Sequence, residues 1–132
     1  MTNLSFPFPI HPLFVHFPIA LFFLEAVLWT RFQKKPAYGS FAIFSFKFGS
    51  AFLILSMTTG LMDAGGFGRL TGAVAAHFYA AIMVFLLVLA RAFYLWKGDR
   101  TKPIFFNLQL WGAWFGAFLV IATAFLGGRM VY

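Results

Sequence analysis

The sequence predicts an all-α membrane protein: four transmembrane helices in an up-down-up-down bundle, with both termini on the non-cytoplasmic side. Three observations predict it. The 132 residues are 62% hydrophobic and only 10% charged, whereas a soluble domain is nearer a quarter charged. The apolar residues fall into four stretches, each close to the ~20 residues that cross a bilayer. The breaks between stretches concentrate basic residues on one side, the pattern that fixes orientation.

The first stretch runs from Leu13 to Thr30, the second from Phe41 to Met62, the third from Ala73 to Trp96 and the fourth from Ile104 to Leu126. Segments 31–36, 63–69 and 97–103 separate them. Connections this short favour sequential antiparallel neighbours, so residues 1–132 are expected to form one transmembrane domain. The first and third connections, with the helix ends beside them, hold Arg31, Lys34, Lys35, Lys47, Arg91, Lys97, Arg100 and Lys102, against Arg69 and Arg129 on the other side. Lys47 and Arg91 lie within apolar stretches and are expected to snorkel toward the basic face. Trp29, Tyr38, Tyr94 and Trp96 fit an aromatic belt there. The N-terminus lacks the basic start and small-residue cleavage site of a signal peptide, so the first span is expected to remain in the mature protein.

Cysteine is absent, which excludes disulfides, thiolate metal sites, iron–sulfur clusters and covalent haem attachment. The net charge of +7 reads as basic loops rather than a nucleic-acid surface. The 21 phenylalanines suit lipid-facing and helix–helix packing, because the ring needs no hydrogen-bond partner. They also suit the walls of a flat aromatic cofactor.

Ionisable groups inside a membrane are costly and point to function. His16 lies just inside the first span and His77 just inside the third, and those spans run the same way. Two imidazoles at matched depth on two helices is an arrangement that grips a haem iron from both sides. The small residues Ala20, Ala80 and Ala81 leave room for a flat macrocycle beside them. Arg69 and Arg129 are expected to face haem propionates, since arginine pairs well with carboxylates; alternatively, Asp63 pairs with one of them at the water boundary. His11 falls at the interface. Pro12 suits the first turn of a helix, and Pro18 is expected to bend it.

Glu25 lies about 13 Å beyond His16 along a helix, near the bilayer centre. A carboxylate there needs a proton or a hydrogen-bond partner, for which Ser56, Thr58, Thr59, Gln109 and Thr123 are candidates. Gly112 and Gly116 form a G-x-x-x-G pattern that permits close helix contact. No internal repeat is convincing by sequence, although the first and third spans share their histidine placement.

These residues lead to a small b-type cytochrome, or a haem-bearing subunit of a redox complex. Its haem b would be held by His16 and His77, passing electrons between a quinone or partner cytochrome and the outer face. The alternative is a cofactor-free accessory subunit of a respiratory or photosynthetic complex, packing through the Gly112/Gly116 face. A third reading is a non-haem metal or quinone site using His11, His16, His77 and Asp63. In each case the expected partners are other membrane subunits and lipid, not nucleic acid. The polar residues are too sparse for a stand-alone enzyme.

The segment His-Pro-Leu-Phe-Val-His-Phe-Pro-Ile-Ala at 11–20 resembles the opening of a bacterial group of small four-helix membrane proteins of unknown function. Thr-Gly-Leu-Met-Asp at 59–63, His77, Arg91 and Leu-Gly-Gly-Arg-Met-Val-Tyr at 126–132 are similar to the group's other landmarks. Arg129 stands where the group is usually acidic, and other members often continue past the final tyrosine. The resemblance implies a multi-pass protein of the bacterial inner membrane. Relatives joined to c-type cytochrome domains imply a redox setting.

Overall fold

A computed structural model describes residues 10–32 and 35–131. It contains α1 (Ile10–Phe32), α2 (Ala37–Asp63), a single 3-10 turn (Phe67–Arg69), α3 (Gly72–Lys97) and α4 (Pro103–Val131). All four α-helices are long and apolar enough to cross a membrane. The helices extend beyond the spans read from hydropathy. α1 begins at Ile10, which brings His11 into its first turn, and α4 continues through Arg129.

Proline and glycine set the boundaries. Pro12 sits in the first turn of α1, Pro36 precedes α2 and Pro103 opens α4, all places where a missing N–H costs nothing. α2 ends where Gly65 and Gly66 take positive φ angles of 78° and 93°, a conformation that favours glycine. The Gly66 N–H then donates to the Leu61 carbonyl and the Gly65 N–H to the Met62 carbonyl, each at 3.0 Å. Those two bonds satisfy carbonyls that the helix end leaves open.

α1 packs along α2 and against α4, and α3 packs on α4, while α2 and α3 touch only lightly. α1 and α3 therefore face each other diagonally. Their backbones scarcely approach each other, and long side chains bridge the gap. The core is formed by Phe22, Ala26, Phe46, Leu53, Val84, Val88, Ala113 and Ala117. Phe41, Phe44, Phe93, Phe118 and Phe125 are exposed, as lipid-facing rings require.

The most costly group to bury sits in this core. Glu25 is 0% exposed and Arg91 7%. Arg91 Nη1 donates to Glu25 Oε2 at 3.1 Å, and Nη2 bonds to Oε1. Trp29 Nε1 donates to Glu25 Oε1 at 3.1 Å, and Arg91 Nη2 also reaches Gln109 Oε1 at 3.2 Å. The guanidinium lies 4.7 Å from the centre of the Phe46 ring. Three expectations are corrected here. Arg91 does not snorkel, because a buried carboxylate at its own depth satisfies it better than the distant interface. Trp29 belongs to the core rather than to an aromatic belt. Glu25 finds none of its expected hydroxyl partners, and Gln109 joins it only through Arg91.

Gly112 makes space for this arrangement. A Cβ there would stand 2.9 Å from Arg91 Nε, and one at Gly116 would contact Leu87 at 3.7 Å. The G-x-x-x-G face thus packs against α3 of the same chain rather than against a second subunit.

Candidate functional site

At the end opposite the basic loops, two histidines meet across the diagonal. His11 projects from the first turn of α1 toward α2, and its Nδ1 donates to the Ser56 carbonyl at 2.8 Å. One turn further along α2 is Gly60, where a Cβ would lie 2.8 Å from the His11 ring. The other hairpin repeats the device. His77 Nδ1 donates to the Thr123 carbonyl at 2.9 Å, and a Cβ at Gly127 would lie 2.9 Å from that ring. Each imidazole therefore rests on a glycine, tied by Nδ1 to the carbonyl one turn earlier.

The two ring centroids are 6.1 Å apart, with their planes at 77°. A carbonyl only accepts, so each Nδ1 carries the ring proton and each Nε2 keeps a free lone pair. Beside the rings is a cavity of about 270 Å³, walled largely by α2 and α3 through Met57, Leu61, Val74, Phe78 and Ala81. Ser56 also lines it, with a buried hydroxyl that has no partner.

Asp63 lines the same cavity. Its Oδ2 accepts the His11 backbone N–H at 3.3 Å. A carboxylate is favoured at a helix N-terminus, where N–H groups lack partners. Asp63 therefore ties the end of α2 to the start of α1. It does not pair with Arg69 or Arg129; the one ion pair among the described residues is Arg91–Glu25.

The expected pairing of His16 with His77 is corrected to His11 with His77. His16 is exposed, and its Nδ1 donates to the Pro12 carbonyl of its own helix at 2.7 Å. Of the residues expected around a macrocycle, Ala81 lines the cavity, while Ala20 and Ala80 do not. Arg69 is exposed and folds against Gly65. Arg129 is exposed, 6.0 Å from the centre of the Phe125 ring. Neither arginine lines the cavity. Sequence reasoning missed the two glycine seats and the unpartnered Ser56 hydroxyl.

The seats make a specific prediction. Gly60→Ala and Gly127→Ala each place a methyl where a ring now lies. Helicity by circular dichroism is expected to hold, since alanine is a better helix former than glycine. The histidine ring resonances are expected to shift in each variant as the methyl displaces the ring, and unchanged spectra in both would show that the seats do not position the rings.

No curated protein and no solved structure matches the chain. A family model described as a predicted membrane protein (DUF2231) matches residues 7–132, and the chain belongs to that family.

Proposed function

We propose that this chain is a small b-type cytochrome, or the haem-bearing subunit of a redox complex, in a bacterial inner membrane, with His11 and His77 as the axial pair. The spacing of the rings carries the proposal. One metal atom bonded by two imidazoles needs two bonds of ~2.0–2.1 Å plus half of each ring, or about 6 Å between centroids. The observed 6.1 Å meets that. A quinone held by both rings would need two hydrogen bonds of ~2.8 Å and the width of the molecule between them, which is several ångströms more.

The surroundings fit as well. Metal-bound histidines usually donate their other ring N–H to a carbonyl or carboxylate, as both rings do. With no cysteine in the chain, attachment is non-covalent. A haem held there would supply one-electron transfer. His11 and His77 orient their Nε2 lone pairs through bonds to two different hairpins, so binding requires both hairpins in register. The walls at Met57, Leu61, Val74 and Phe78 are apolar, as the face of a macrocycle requires. A cavity of about 270 Å³ is smaller than a haem, so the lightly packed junction between α2 and α3 would have to open to admit one.

The absorption spectrum of protein made under haem-replete conditions tests the proposal. A Soret band with sharp reduced α and β bands supports it. A blank spectrum overturns it in favour of a cofactor-free accessory subunit. Electron exchange with a quinone or a partner cytochrome follows only if the band is present.

The proposed orientation puts this site on the non-cytoplasmic side. With Arg91 withdrawn into the core, seven basic residues still oppose Arg69 and Arg129. A periplasm-active reporter fused after Tyr132 is expected to be active, and a cytoplasm-active one silent. The reverse result would invert the site.

A further inference from the structure

The basic end of the bundle has a cleft of its own, about 190 Å³, between the end of α1 and the starts of α2 and α4. Its floor is aromatic. Phe32 and Phe106 stack at 5.4 Å, and Trp29 meets them edge-on at 5.6 and 6.2 Å. Gly39 lets Phe32 lie close to α2, since a Cβ there would stand 2.8 Å from the Phe32 ring. Arg100 and Ser40 complete the wall, and both are exposed.

The charges at this end are unbalanced. The whole chain has three carboxylates. Glu25 is committed to Arg91, and Asp63 ends α2 at the opposite end, bonded to the start of α1. The third, Asp99, accepts the Thr101 hydroxyl at 2.6 Å and the Thr101 N–H at 3.0 Å. Those bonds hold its carboxyl below the usual carboxylate range, so its charge is satisfied within its own turn. The hydrogen bond made by the Arg100 guanidinium is from Nη2 to the Leu95 carbonyl, at 3.4 Å. Among the described residues, most of its donor fork is therefore open. Arg31 in the last turn of α1, and Lys35 and Lys102 in the two connections at this end, are exposed.

We infer that this cleft binds one anionic phospholipid, with the phosphate on Arg100 and Ser40 and an acyl chain over Phe32 and Phe106. A guanidinium fork matches phosphate oxygens in pairs, and basic pockets between helices at the cytoplasmic side suit anionic headgroups. The cleft lies where α1 ends and α2 begins, at the ends of two candidate membrane spans. A water-soluble phosphate would use the rim and leave the aromatic floor bare; a phospholipid uses both. The site is separate from the histidine pair and does not depend on it.

The test places the intact protein in phosphatidylcholine nanodiscs, titrates in phosphatidylglycerol and reads lipid retention by native mass spectrometry. Phosphatidylglycerol is expected to be retained at one copy per chain and to raise the melting temperature. Arg100→Gln is expected to cut retention by at least about fivefold, the equivalent of ~1 kcal/mol per surface cation. Arg100→Lys, which keeps the charge and loses the fork, should fall between. Lys97→Gln removes the same charge outside the cleft, where the ammonium lies 4.1 Å from the centre of the Trp96 ring; it should change retention by less than about twofold. Equal losses from Arg100→Gln and Lys97→Gln would mean diffuse attraction and overturn the inference. So would full stabilisation by inorganic phosphate or glycerol 3-phosphate in place of the lipid.

Discussion

Arg91→Leu is expected to lower the unfolding free energy by about 3–5 kcal/mol, the cost of leaving a buried charge without its partner. Glu25 is 0% exposed, so water cannot replace the guanidinium. Glu25→Leu should cost a similar amount, because it strands Arg91 among Phe46, Gln109 and Gly112. The double change Glu25→Leu with Arg91→Met should recover most of the loss, since a buried ion pair replaced by apolar side chains of similar volume is often neutral or stabilising. Unfolding in mixed detergent micelles measures all three. Single changes that each cost under about 1 kcal/mol would show that the pair is solvated.

If the pair holds haem as proposed, His11→Ala and His77→Ala are each expected to abolish its low-spin spectrum, because either change would remove one of the two axial ligands. The double variant should be no worse than either single one, as residues acting as a unit are not additive. His16→Ala is expected to leave the spectrum unchanged, since its ring is exposed and bonds only to its own helix. This ordering reverses the one implied by the sequence, which gave His16 the ligand role and His11 a mild one. Loss of the spectrum in His16→Ala with retention in His11→Ala would restore the original assignment. Each spectrum is read alongside thermal melting, so that a ligand lost is distinguished from a fold lost.

The four spans were legible because apolar length and basic loops report directly on the bilayer. Their ends were less so. α1 begins before the hydropathy does, because His11 and Pro12 are compatible with a first helical turn. The site was half legible. Depth along a helix can be counted, which singles out His77; direction around a helix does not follow from depth. His11 and His16 are five residues apart and point ~140° away from each other, so one faces the bundle and the other turns away. The deciding clue was Glu25. It lies nine residues from His16, directly opposite it, but fourteen from His11, within ~40° of the same face. A carboxylate that must face inward takes His11 with it. The same fourteen-residue step joins His77 to Arg91. The glycine seats were not legible, because glycine is common in membrane helices and its neighbour across a bundle cannot be counted along one chain.

The repeated contacts of the two hairpins have a consequence for how the halves choose each other. Each hairpin brings one imidazole on a glycine seat, and at the matching position further down, one charge. The first hairpin brings the carboxylate of Glu25 and the second the guanidinium of Arg91. Two copies of the first would force a pair of carboxylates together in lipid, and two copies of the second a pair of guanidiniums. Only the mixed combination brings opposite charges together inside the membrane. The opposite signs thus serve as an address, directing each half to its complement and away from its own kind, in this chain and between neighbouring copies. A chain severed in the middle loop, between Gly66 and Thr71, should therefore rebuild the histidine pair when both pieces are made together, and neither piece should self-associate in its place.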